Sequence, residues 1–164
     1  MVIKLKAVHR NAVAPKRATK RSSGADVYAV EDFIIPPKGW VTADLGLQVA
    51  DMPDLAGYLD KSPVTLPHEH VEVGLELQVR ARSGEARKRG VFVLNEPGTI
   101  DQDYRGMMGV ILANFSDKPV EFKAGERIAQ VVCSLVLYVD YEMTEEVSET
   151  ERGAGGFGST GTIG

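Results

Sequence analysis

The residues best suited to chemistry stand near the end of the chain, in Arg152-Gly153-Ala154-Gly155-Gly156-Phe157-Gly158-Ser159-Thr160-Gly161. Glycines let backbone N–H groups come close to phosphate oxygens. Arg152 adds a planar fork of donors that matches phosphate, and Phe157 adds a ring face on which a base can stack. A flexible arm carrying all three suits closure over the phosphates of a nucleotide. The same composition also fits a low-complexity tail. Gly153 to Gly158 matches G-x-G-x-x-G, but too few residues follow for the helix that a dinucleotide site needs.

Four further clusters precede the arm. Ser22-Ser23-Gly24-Ala25-Asp26-Val27-Tyr28-Ala29 places one acid at the start of a strand, where it either caps a turn or meets a ligand. Arg80-Ala81-Arg82-Ser83-Gly84 ends a strand in a cation, a hydroxyl and a glycine before a short helix. This is either an anion site or an ordinary serine N-cap. The third cluster is Asn95-Glu96-Pro97-Gly98-Thr99-Ile100-Asp101-Gln102-Asp103-Tyr104-Arg105-Gly106. An acid beside Ile100, with an aromatic three residues later, can hold a general base against a sugar ring; a plain hairpin with solvated carboxylates is the other reading. In Gly125-Glu126-Arg127-Ile128-Ala129-Gln130, a glutamine interrupts an apolar strand and needs a partner if buried.

The elements that must position these clusters are mostly strands. Ile3, Leu5 and Ala7 alternate with lysines, and Leu75, Leu77 and Val79 alternate with Glu76, Gln78 and Arg80, the period of half-buried strands. Val91 to Leu94, Gly109 to Ala113 and Arg127 to Leu137 are β-branched runs separated by Pro, Gly and Asp turns. A helix is expected only from Glu85 to Lys88 and just beyond. Many short strands with regular turns indicate an all-β sandwich or barrel. Two stretches differ: 51–73 reads as a long loop or insertion, and 141–151 as an acidic linker carrying the arm. The arm on its tether can reach a neighbouring subunit.

Composition sets bounds. The 164 residues, 43% of them hydrophobic, suffice for one domain with a real core. A net charge of -4 argues against a nucleic-acid binder. Cys133, the single cysteine, excludes an internal disulfide, fits a reducing cytoplasm and is expected in the core. The polar start argues against a signal peptide, and no apolar run reaches membrane-spanning length.

Taken together and in this order, the five clusters resemble the trimeric dUTPase family, the deoxyuridine 5'-triphosphate nucleotidohydrolases. Ser-x-Gly-Ala-Asp, Arg-Ser-Gly, Gly-x-Ile-Asp-x-Asp-Tyr-Arg-Gly, Glu-Arg-Ile-Ala-Gln and Arg-Gly-x-Gly-Gly-Phe-Gly-Ser-Thr-Gly all stand in register, from about Lys4 to Gly161, with 51–73 outside the pattern. The resemblance implies a jelly-roll-like dUTPase β barrel over 1–140 and a C-terminal arm over 141–164. It also implies a homotrimer, each arm closing over a neighbour's site, and Mg²⁺-assisted cleavage of dUTP to dUMP and pyrophosphate in the cytoplasm, or the host-cell cytoplasm for a viral chain.

By the same resemblance Asp101 would be the general base for water attack on the α-phosphorus, and Gln130 would orient that water. Arg82, Ser83 and Gly84 would hold phosphate oxygens. Arg152, Gly158, Ser159 and Thr160 would clamp the γ-phosphate. Asp26 would hold Mg²⁺ through water, Phe157 would stack on the uracil, and Tyr104 would exclude a ribose 2′-hydroxyl. The hairpin from Asn95 to Gly109, with Gly98, Thr99 and Ile100, would read the uracil edge.

Rival readings are a dCTP deaminase of the same fold and a nucleotide-gated regulatory binding protein. The 51–73 stretch, a candidate contact for a protein partner, carries His68-Glu69-His70; a metal there is one reading and a solvated pair the default. No membrane or direct nucleic-acid contact is expected.

Overall fold

Side chains on alternate positions of an extended chain point to opposite faces, and this chain uses that period to build two faces per strand. A computed structural model describes residues 1–55 and 72–156. Ten strands are described: β1 Lys4–Ala7, β2 Ala25–Tyr28, β3 Phe33–Ile35, β4 Trp40–Asp51, β5 Glu72–Arg80, β6 Val91–Val93, β7 Gly98–Ile100, β8 Met107–Asn114, β9 Val120–Phe122 and β10 Arg127–Tyr138. The one described helix, α1, spans Ser83–Arg89.

All pairings between these strands are antiparallel. One sheet runs β1-β4-β8-β6, a second β2-β10-β5-β7, and β3-β9 forms a third, two-stranded ribbon. Inward-facing Leu75, Leu77 and Val79 of the second sheet join Leu45, Val110 and Leu112 of the first in one apolar core. Each such side chain contributes on the order of 2 kcal/mol by leaving water. Phe122 from the ribbon and Ile128 from β10 are also fully buried. The all-β expectation holds.

Three expectations need correction. The segment from Asn95 to Gly109 is not a simple hairpin: β7 belongs to the second sheet and β8 to the first, so the turn between them crosses from sheet to sheet. The 51–73 stretch is shorter than it reads, because Asp51 ends β4 and Glu72 and Val73 open β5. Residues 56–71, including His68-Glu69-His70, lie outside the described residues. Cys133 sits at the margin of the core, half-buried, and burial pushes its thiol pKa up.

One buried polar residue anchors the ribbon. Asn114 donates through Nδ2 to the carbonyls of Ile35, Pro36 and Lys118 and accepts through Oδ1 from Ser116 N–H and Oγ. Every polar atom of its side chain is paired, as burial requires.

Candidate active site

Sheet register brings the first, second and fourth clusters together. Gln130 on β10 stands opposite Asp26 on β2 and Arg80 on β5. Two residues beyond Arg80 the chain turns into α1, so Arg82, Ser83 and Gly84 join the same end of the sheet. These residues, with Ser22, Ser23, Gly24 and Arg127, line an open cleft of about 370 Å³.

Charge organises this cleft. Arg82 Nε donates to Asp26 Oδ1 at 2.9 Å, and Arg127 donates to Asp26 Oδ2 at 3.3 Å. Asp26 therefore caps no turn with its side chain; it bridges two guanidiniums. Glu85, on the first turn of α1, accepts from both Arg82 and Arg89. Ser83 is the first helical residue rather than the N-cap, a position held by Arg82. Gln130 Nε2 donates to the Ala81 carbonyl at 2.8 Å, which is the partner its burial called for. A Cβ on Gly24 would come within 2.0 Å of Gln130 Oε1, so Gly24 is what allows the amide to lie there.

A second concavity, of about 220 Å³, lies where the two sheets part. Its walls are Val79, Asn95, Gly98, Thr99 and Ile100 on one side and Thr42, Met107, Gly109, Val110 and Ile111 on the other. Apart from Asn95 the lining residues are small or apolar, and the slot has the scale of a flat heterocycle. A Cβ on Gly98 would stand 3.3 Å from Asn95 Nδ2 and 3.4 Å from Val79 Cβ. The third cluster thus supplies one wall, as its sequence suggests; Thr42 on β4 had no such signal.

Asp101 lies just past this slot, in a third cleft with Glu72, Gln102, Asp103, Arg105 and Tyr138. Tyr104, half-exposed, folds back so that its hydroxyl donates to the Met107 carbonyl at 3.1 Å. Gln102, not singled out from sequence, holds this turn. Its Oε1 accepts from Leu75 N–H and from the Tyr138 hydroxyl, both at 3.1 Å. Since β7 stops at Ile100, opposite Leu77, the amide oxygen supplies the next acceptor along β5.

The structure does not bring Asp101 to the phosphate-type cleft of its own chain. Gln130 pairs with Arg80, whereas Ile100 pairs with Leu77 two strands away. Asp101 therefore lies about 13 Å along the strands and about 10 Å across them from Gln130. Arg152 is exposed and donates to the Gly155 carbonyl. Phe157, Gly158, Ser159 and Thr160 lie outside the described residues.

The molecule is thus an all-β protein in which an ionic cleft and a narrow slot between two sheets stay apart within one chain. The dUTPase family model matches residues 64–161. A deoxyuridine 5'-triphosphate nucleotidohydrolase of Helicobacter pylori (strain J99) is 43% identical over 161 residues, covering 98% of this chain and 97% of that one. One from Picosynechococcus sp. is 44% identical over 162 residues, covering 99% and 100%. The chain belongs to the dUTPase family. Its fold matches the dUTPase of Staphylococcus bacteriophage 80alpha solved with dUpNHpp, at TM-score 0.78 and 22% identity over 98% of this chain and 99% of that one. It also matches a dUTPase from phage phi11 of S. aureus, at TM-score 0.71 and 16% identity over 92% and 100%.

Proposed function

We propose that the chain hydrolyses dUTP to dUMP and pyrophosphate, as a homotrimer in which each site takes its base slot and its phosphate cleft from different subunits. One observation carries this reading: Asp101 and Gln130 are too far apart in one chain to act on the same phosphorus. The names of the relatives supply the substrate.

In this reading the slot takes the uracil. Backbone groups around Gly98, Thr99, Ile100 and Gly109, with Asn95, face its polar edge, and the narrow walls leave no space for the methyl of thymine. Selection against cytosine follows from donor–acceptor mismatch, since a buried polar group left unpaired is costly. Tyr104 packs under the deoxyribose. Asp101 accepts the proton of a water that attacks the α-phosphorus, and Gln130 Oε1 orients that water. Arg82, Ser83 and Gly84 bind the phosphate oxygens, and the leaving pyrophosphate carries its charge toward Arg82. Arg152, Phe157, Gly158, Ser159 and Thr160 arrive from the third subunit as the arm closes.

The residues fit magnesium in one form. No cluster of three ligating side chains occurs among the described residues. Asp26, the carboxylate that lines the cleft beside Ser83 and Gln130, already has both oxygens engaged by guanidiniums. It can hold through water an ion that stays hydrated and rides on the phosphates, as Mg²⁺ does. When bound, that ion shields the triphosphate charge. The role in the cell would be to keep uracil out of DNA and to supply dUMP, in the cytoplasm.

The test is pyrophosphate release from dUTP, dCTP, dTTP and UTP with Mg²⁺, for the native chain and Asp101→Asn. Release from dUTP alone, abolished by the substitution, supports the reading. Ammonia from dCTP, or binding of dUTP without turnover, replaces it with deamination or with a regulatory role.

A further inference from the structure

Charge is distributed along this chain in two opposed blocks that the reaction leaves unused. Residues 1–25 contain seven lysines and arginines and no acid. Between Arg127 and Arg152 there are six acids, Asp140, Glu142, Glu145, Glu146, Glu149 and Glu151, and no base. Both blocks are exposed where it matters: Lys16, Arg17, Lys20 and Arg21 on one side, 139–151 on the other. None of these ten side chains enters an ion pair among the described residues.

The basic block has a built shape and a telling place. Ser22 N–H donates to the Thr19 carbonyl, and the Ser22 hydroxyl accepts from Thr19 N–H at 3.1 Å. That tight turn presents Lys20 and Arg21 at its tip. Ser22, Ser23 and Gly24, which follow, line the ionic cleft. Lys16 and Arg17 line an adjoining cleft of about 520 Å³ that shares Asp26, Arg82 and Arg127 with it. The four cations therefore form a lip on the phosphate-type cleft.

The acidic block starts at the wrong end to serve its own lip. β10 runs away from the cleft, and Tyr138 lies about 26 Å beyond Gln130 along the strand. The thirteen residues 139–151 can extend about 45 Å. To reach the lip of its own chain the segment would retrace β10, and only its last acids would arrive. Laid along another copy, the segment can bring its acids past that copy's lip on the way to Arg152 without retracing its own strand. Within the linker the hydrogen bonds are local: Glu146 N–H donates to Thr144 Oγ1 and Gly153 N–H to Thr150 Oγ1.

We propose that the acidic linker of one subunit lies along the Lys16–Arg21 lip of a second copy of this chain, and so delivers the arm to that copy's phosphate cleft. This rests on the exchanged-arm trimer proposed above. Paired charges at an exposed surface are weak singly and act here as a set, steering a tethered segment whose effective concentration is already high.

The experiment uses the full chain with Cys133→Ser, Arg21→Cys and one of Glu142→Cys, Glu145→Cys or Glu149→Cys, oxidised mildly and run on a non-reducing gel. Chains joined to one another, up to a covalent trimer, are expected for at least one pair. The yield should fall about fivefold in about 0.5 M NaCl, or when Lys16, Arg17 and Lys20 are each changed to Glu. A bridge closed within single chains, no bridge from any pair in a protein that sediments as a trimer, or a yield indifferent to salt and charge reversal would each overturn the proposal. A protein that sediments as a monomer overturns the exchanged-arm reading itself, and this inference with it.

Discussion

The two half-sites of this chain are built by opposite means. The slot is walled by two sheets and, Asn95 apart, by small or apolar residues, several of them on strands that also build the core. The ionic cleft is a chain of side-chain pairs, Arg127 to Asp26 to Arg82 to Glu85 to Arg89, over an open surface. Shape discriminates between flat rings, and charge grips a tail that every nucleoside triphosphate shares. Under the proposed reaction, this difference would put specificity in the slot and affinity in the cleft.

The largest way to break this pairing is to remove the proposed base, Asp101, which belongs to neither grip. Asp101→Asn should lower kcat by about 10³-fold with KM for dUTP nearly unchanged; steady-state kinetics checks it. Next is Arg82→Ala, which should cost about 10²-fold in kcat/KM, the range for hydrogen bonds to charged groups. Inhibition by pyrophosphate should weaken with it and with added salt, while inhibition by deoxyuridine should respond to neither. If deoxyuridine binding followed salt as steeply as pyrophosphate binding, the division of labour would fail.

A smaller effect sharpens the other half. Gly98→Ala puts a methyl 3.3–3.4 Å from Asn95 and Val79, so one wall must give. Deoxyuridine should bind about fivefold more weakly, with pyrophosphate unaffected, because overpacking costs about 1 kcal/mol or more. Calorimetric titration of both ligands decides this.

The smallest effect lies away from both half-sites. Ala124 N–H and the Lys123 ammonium hold the Asp32 carboxyl below its ordinary value. A depressed carboxylate contributes stability that is present above its unfolded pKa of about 3.8 and is lost as pH falls through the folded value. Asp32→Asn should therefore lower Tm slightly near neutrality and converge with the native chain in acid, measured by thermal melts over pH 2–6.

Much of the fold was legible because strands with one wet face declare themselves, as β1 and β5 do, and because β10 carries a long β-branched run. β4 was not, because its register shifts between Asp44 and Gln48 and the alternation breaks there. β7 was hidden by its three residues, directly after Pro97. Membership of sheets is a long-range property: nothing local says that Ile100 and Met108 enter one core from different sheets. The site was legible as residue types in order, and its polar wiring was not. Asp26 meets Arg82 and Arg127 across 56 and 101 residues, and Gln102 became visible only once Leu75 and Tyr138 lay beside it.

The distance between Asp101 and Arg82 has a consequence in genetics. In the trimer proposed above, a chain with Asp101→Asn and a chain with Arg82→Ala would each be strongly impaired when assembled alone. Refolded or expressed together, they would form mixed trimers in which an intact slot of one parent faces an intact cleft of the other, at about one quarter of all sites, pure trimers included, if assembly is random. Two defective alleles would then complement each other without recombination, and the regained activity would count the shared boundaries between subunits.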